Sequence, residues 1–209
     1  MTLPRTTRIT YTAVCAACAL LSACATTTGG ALPSAQTVAP YRDNIDLSGR
    51  LAVNYQRDGK PQALSGKFTW HQGGAGTDVT LVSPLGQTIA TIAVTPVAAT
   101  LTQSGQAPRT AADIDSLSAQ ALGWSLPVSG LRDWLQGYAL DADGRRFAAS
   151  PQRDSVTTRD GWRLRFVSWQ DEGAQGAALP RPKRIDAERG AGPQSEPVAI
   201  RIVIDPLQP

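Results

Sequence analysis

The stretch that decides the fold runs from Leu47 to His71, L-S-G-R-L-A-V-N-Y-Q-R-D-G-K-P-Q-A-L-S-G-K-F-T-W-H. Its apolar positions recur every second residue: Leu47, Gly49, Leu51, Val53 and Tyr55 share one side, while Ser48, Arg50 and Asn54 take the other. A period of two belongs to a strand with one buried face, because successive side chains leave an extended backbone in opposite directions. Asp58-Gly59 supplies a turn, and on the return Leu64, Gly66, Phe68 and Trp70 alternate with Ser65, Lys67, Thr69 and His71. The pair reads as a β-hairpin with a single apolar face.

Downstream the same period continues. Gly73-Gly74-Ala75-Gly76 makes the next turn, Val79 and Leu81 carry on the alternation, Ser83-Pro84-Leu85-Gly86 interrupts it, and Thr88 to Thr95 resume it. Between Thr110 and Gly137 the period changes. Thr110 followed by Asp113 fits a variant of the capping box, and Ile114, Leu117, Ala121 and Leu122 then recur at helical spacing. After Pro127 a second short helix, capped by Ser129, carries Leu131, Trp134 and Leu135 on one side and closes at Gly137. The last third returns to strands, with Trp162, Leu164 and Phe166 against Arg163 and Arg165, and Val198, Ile200, Ile202 and Ile204 against Arg201 and Asp205. Residues 171–178 and 188–197 read as long loops. A mainly β domain is expected over 46–209, an antiparallel sheet with one apolar face and two short helices. Such a face closes over a solid core or leaves a cavity for a lipid, and composition does not decide between them.

Upstream, residues 1–23 have the order of an export signal: Arg5 and Arg8, then an apolar run from Ala13 to Leu21, then small residues. The run is well short of the roughly 20 residues that cross a bilayer as a helix. Leu21-Ser22-Ala23-Cys24 resembles the lipobox of bacterial lipoproteins. That resemblance implies cleavage before Cys24, a diacylglycerol on its sulfur and an acyl chain on its new amine, with no other cofactor. Position 25 is alanine rather than the aspartate that retains enterobacterial lipoproteins in the inner membrane, so the expected location is the outer membrane, lipid-anchored and facing the periplasm. Residues 24–45 are expected to be a lipidated, flexible tether, since 25–41 are small, polar and rich in Pro and Gly. As a coil, about 17 residues reach roughly 20 to 25 Å.

Composition excludes more than it assigns. Cys15 and Cys18 have the spacing of a redox or metal pair but fall in the removed segment, which leaves Cys24 as the sole cysteine. Without Arg5 and Arg8 the basic count drops from 20 to 18 against 17 acids, a charge near +1 that gives no reason to expect nucleic acid as a partner. His71 is the only histidine, and the alternation turns it away from the apolar face. Asp113, Asp115 and Asp133 lie on or beside the helices, where acids cap or face solvent. Neither a nucleophile elbow, a phosphate loop nor a metal cluster is present, so an enzyme is not expected.

Taken in order, several segments resemble the LolB family of outer-membrane lipoprotein receptors: Gly49-Arg50, Phe68-Thr69-Trp70, Ser83-Pro84-Leu85-Gly86, Leu126-Pro127-Val128, Leu131, Trp134-Leu135, Gly137, Gly161-Trp162, Leu179-Pro180 and Arg201-Ile202-Val203-Ile204-Asp205. The likeness runs from about Asp46 to Asp205, and Pro206-Leu207 stands where an aromatic residue often follows. The resemblance implies an incomplete antiparallel β-barrel with helices as a lid over an apolar cavity. It also implies a function: taking lipoproteins from the periplasmic carrier LolA and releasing them, without ATP, into the inner leaflet of the outer membrane. The cavity would be lined by Leu51, Val53, Phe68, Trp70, Leu81, Leu164 and Phe166, with Leu131, Trp134 and Leu135 beneath the lid. Leu85, held between Pro84 and Gly86 at a hairpin tip, would be the residue that enters the membrane; the alternative is that it folds back as local core. Expected partners are LolA, the acyl chains of cargo lipoproteins and outer-membrane phospholipid, met by a monomer. A lipid-anchored scaffold of an envelope complex is the competing function.

Overall fold

The computed structural model describes residues 38–57, 59–122, 126–172, 179–192 and 196–206. The hairpin read from Leu47 to His71 is its centre: β1 (Ile45–Arg57) and β2 (Lys60–Gly73) pair antiparallel along their full length. Every odd-numbered residue of β1 from Ile45 to Val53 is buried and every even-numbered one exposed. Asp58 lies outside the described residues, and Gly59 beside it takes the left-handed backbone the turn requires (φ +70°). Gly49 is chosen for closeness, since a Cβ there would stand 2.2 Å from the Val203 carbonyl oxygen and 2.7 Å from the Phe68 ring.

The chain then meanders through β3 (Gly76–Val82), β4 (Thr88–Val94), β5 (Ala99–Gln103) and β6 (Arg109–Ala111), each pairing with the strand before it. Next come the helices α1 (Ile114–Leu122) and α2 (Val128–Trp134) and a small separate hairpin, β7 (Tyr138–Leu140) with β8 (Arg146–Ala148). A second meander follows, β9 (Ser155–Thr157), β10 (Arg163–Glu172), β11 (Leu179–Arg189) and β12 (Val198–Ile204). β12 inserts beside β1, giving a ten-stranded sheet in the order β6-β5-β4-β3-β2-β1-β12-β11-β10-β9. The edge strands β6 and β9 do not pair with each other, so the barrel stays open. The helices connect one edge to the other and cover the apolar face between them.

Several sequence expectations need correction. Thr110 does not cap α1; it belongs to β6, and the cap is Asp113, whose carboxylate accepts the N–H groups of Asp115 (3.1 Å) and Ser116 (3.0 Å). Ser129 does not cap α2, which starts one residue earlier behind Pro127. The loop expected at 188–197 begins later, because Glu188 and Arg189 end β11 and pair with Ala199 and Val198. Of the loop expected at 171–178, Asp171 and Glu172 close β10, and 173–178 lie outside the described residues.

The tether is also shorter than 24–45. Val38 and Ala39 are buried, their N–H groups donating to the carbonyls of Ala149 (2.9 Å) and Pro180 (3.0 Å). Tyr138 donates its hydroxyl to the Ala39 carbonyl, and the Gln136 side chain bonds both the N–H and the carbonyl of Arg42. Tyr41 meets the Tyr138 ring edge-on at 5.7 Å. Residues 38–42 are therefore a strap on the body, bound because the first part of β11 has no β12 partner and leaves the Pro180 carbonyl to be satisfied. Signal, Cys24 and the tether up to residue 37 lie outside the described residues.

Candidate functional site

Ile114, Leu117, Val128, Leu131 and Trp134 of the two helices are buried toward the sheet, which supplies the inward residues of β1, β2 and β3. The helices are tied to each other. The Asp115 carboxylate of α1 accepts both the Ser129 N–H (3.2 Å) and the Ser129 hydroxyl, which makes it the cap that α2 lacks locally. Ser118 sits fully buried beneath the connection, where its hydroxyl accepts the Leu126 N–H (3.0 Å) and donates to the Asp115 carbonyl (2.8 Å). α1 and α2 thus form one clasped unit.

Between this unit and the sheet runs an all-apolar cavity of only about 20 Å³. Of the residues expected to line it, Leu51, Phe68, Trp70, Leu81, Leu131 and Leu135 do so, and Val79, Leu126, Val128 and Ile202 complete the wall. Val53, Trp134, Leu164 and Phe166 are buried but do not line it. Trp134 packs edge-on against Trp162 at 5.8 Å, and Phe166 stacks on Phe147 at 6.3 Å. Alternation shows which side of a strand is apolar and not how far along the sheet the helices press, so Val53, Leu164 and Phe166 were indistinguishable in the sequence from the strand residues that line the gap, and helical spacing did not separate Trp134 from Leu131 and Leu135. Val79 and Ile202 carried the same signal.

The β3–β4 connection is a tight turn. Gly86 N–H donates to the Ser83 carbonyl (2.9 Å), Ser83 N–H to the Gln87 carbonyl (2.7 Å), and Gln87 N–H to the Ser83 hydroxyl (3.1 Å). Gly86 has a φ of +86°, the left-handed conformation that returns the chain into β4. Pro84 and Leu85 are left at the tip, and Leu85 is 89% exposed, so it does not fold back as core. The same turn chemistry that makes the hairpin tight holds the leucine out in water.

Among the described residues no arrangement for chemistry accompanies these features. The His71 imidazole, 61% exposed, pairs with Asp46 at 2.7 Å on the outer face, away from the cavity. Asp133 is half-buried, and burial raises its carboxyl above the ordinary value, opposed by Arg146 and Arg132. Among the described residues no group of side chains could hold a metal ion, and no helix is long and apolar enough to cross a membrane.

Residues 43–206 match the family described as Outer membrane lipoprotein LolB. The chain is 42% identical over 188 residues to the Outer-membrane lipoprotein LolB of Cupriavidus taiwanensis, covering 85% of this chain and 92% of that protein. It is 37% identical over 198 residues to that of Ralstonia nicotianae, covering 90% and 92%. Among solved structures it is similar to a LolA superfamily protein from Nitrosomonas europaea at 9% identity and a TM-score of 0.40, over 80% of this chain and 90% of that one, a likeness too distant to build on.

Proposed function

The chain belongs to the LolB family of outer-membrane lipoproteins, receptors of lipoprotein localisation and not enzymes, and from that premise we propose how it works. It accepts the acyl chains of a lipoprotein from the carrier LolA into the gap between the clasped helices and the sheet. It then releases them into the inner leaflet of the outer membrane. Cys24, carrying diacylglycerol and an N-acyl chain, holds it there.

The observation that carries the reading is the thin, wholly apolar gap under a lid whose polar bonds are made within itself. Three acyl chains left in water would cost on the order of 35 kcal/mol at about 0.8 kcal/mol per methylene, so a carrier and a receptor must both offer apolar surface. At about 20 Å³ the gap is far below the roughly 300 to 1,000 Å³ of a ligand pocket, so cargo enters by lifting the lid. Lifting exposes Leu126, Val128 and Leu131, and the incoming methylenes replace their contacts with the sheet. One apolar contact is exchanged for another, a near-balanced step that runs without ATP and reverses at the membrane.

Leu85 starts the release. A leucine entering the interface gains about 1 to 2 kcal/mol, too little to anchor a protein but enough to orient it and begin mixing of acyl chains with lipid. Leu85→Glu is expected to leave folding and uptake from the carrier unchanged while delivery to liposomes falls roughly five- to thirty-fold. Equal loss of uptake and delivery, or undiminished delivery, would refute the assignment.

A further inference from the structure

We infer that the end of the sheet carrying Leu85 is a docking surface for anionic phospholipid headgroups, formed by Arg50, Arg57, Lys60 and Lys67. The inference deepens the role proposed for Leu85 and rests on that loop meeting a membrane. In an antiparallel meander the β1–β2, β3–β4 and β5–β6 connections all lie at one end of the sheet. At that end Arg57 and Lys60 face each other across the β1–β2 tip. Further down the same ribbon Arg50 faces Lys67, and Lys67 is also the partner of Val82, which leads directly into the Leu85 turn. All four cations are exposed, and none has an ion pair or hydrogen-bonding side chain among the described residues. Arg109 opens β6 at the same end. The acids at that end are Asp58 in the β1–β2 turn, Glu188 near the end of β11, which pairs with Arg163, and Glu196 ahead of β12.

Like charges placed directly opposite in a sheet repel and weaken it. This ribbon keeps two such pairs, and among the described residues no carboxylate is paired with any of the four, so anionic groups from outside would relieve the repulsion. Within β1, β2 and β3 the acids lie at the other end: Asp46 near the start of β1 and Asp78 across from His71 in β3, with Asp43 just ahead of β1. Charge is thus separated along the strands, with the cations on the side of the exposed leucine. A lipid surface fits both features at once, since it places phosphates in a plane above an apolar layer, cations beside the one and Leu85 in the other. An acidic protein would match the cations and leave the leucine unexplained.

The test uses the mature chain with Cys24→Ala, sedimented with vesicles of phosphatidylcholine alone and of phosphatidylcholine mixed with phosphatidylglycerol. Binding should favour the mixed vesicles and weaken with salt. Arg50→Gln and Lys67→Gln should each cut that preference by about five-fold, and roughly 25-fold together. Both variants should melt at or above the parent temperature, because a repulsion is removed; that separates the effect from misfolding. Leu85→Ser should weaken binding to both vesicles in proportion and leave the preference intact. If the double variant keeps the full preference, the cationic surface is refuted while the role of Leu85 stands. If it binds vesicles normally but no longer takes cargo from the carrier, the surface docks protein and the inference also falls. If Leu85→Ser changes nothing while the cation variants lose the preference, the lipid-facing surface survives and the reading of Leu85 fails.

Discussion

Asp113 illustrates how much a single side chain contributes to the lid. It accepts the N–H groups of Asp115 and Ser116, two of the free donors in the first turn of α1, and sits where the positive end of the helix favours its charge. The hydrogen bond from Ser116 holds its carboxyl below the ordinary value against the opposing effect of burial, helped by the Ser116 and Asp115 N–H groups. A carboxyl lowered in the folded state stabilises it fully above the ordinary value of 3.8 and loses that contribution as pH falls through the lowered one. Asp113→Ala should therefore cost about 1 kcal/mol in a chemical melt at neutral pH. Asp113→Asn should keep most of the cap and lose the acid-dependent part, so the gap between it and the parent should shrink below pH 4. A constant gap across the series would show that the carboxyl does not titrate with folding. In the sequence Asp113 was visible as part of a capping pattern three residues too early, since Thr110 offers the same local signal but is drawn into β6 by its pairing with Thr100.

At the scale of elements, long strands were legible and short or irregular ones were not. β1, β2, β3 and β12 alternate over at least seven residues, enough for the period to declare itself. β6, β7, β8 and β9 have three residues each, too few to show any period, and exist through their partners. β11 was hidden for a different reason. Pro180 and Pro182 argue against a central strand, yet they fall where β11 pairs with β10 alone and the ladder to β12 has not begun. The link between helices was equally out of reach, because Asp115 caps α2 from 14 residues away. That link makes its own prediction. Asp115→Ala should unclasp α1 from α2, lower the melting temperature by a few degrees and increase uptake of a fluorescent apolar probe into the gap. Lower stability with unchanged probe uptake would mean that the two helices do not lift as a unit.

For the whole molecule, the proposed transfer surface lies within the folded body. The apolar gap, the clasped lid and the Leu85 turn all belong to the folded body, and the strap from Val38 to Arg42 is bound to it. The lipid proposed on Cys24 is therefore expected to be dispensable for accepting cargo. A Cys24→Ala form in the periplasm should strip lipoprotein from its complex with the carrier at close to the parent rate, measured by cargo changing partners on a sizing column; a folded variant that accepts none would show that the lipid takes part in transfer. The pairing of the first long strand with the last has a further consequence for how the protein is made. Gly49 lies opposite Ile204, a separation of 204 − 49 = 155 residues. A chain exported from its N-terminus can zip β1 to β6 as they emerge, but the seam at the centre of the sheet waits for nearly the final residue. Until then two half-sheets stand apart with their greasy sides bare, and closing so distant a contact is slow. A protein proposed to shield the lipids of others would thus pass through its own birth as an unshielded surface in the same compartment.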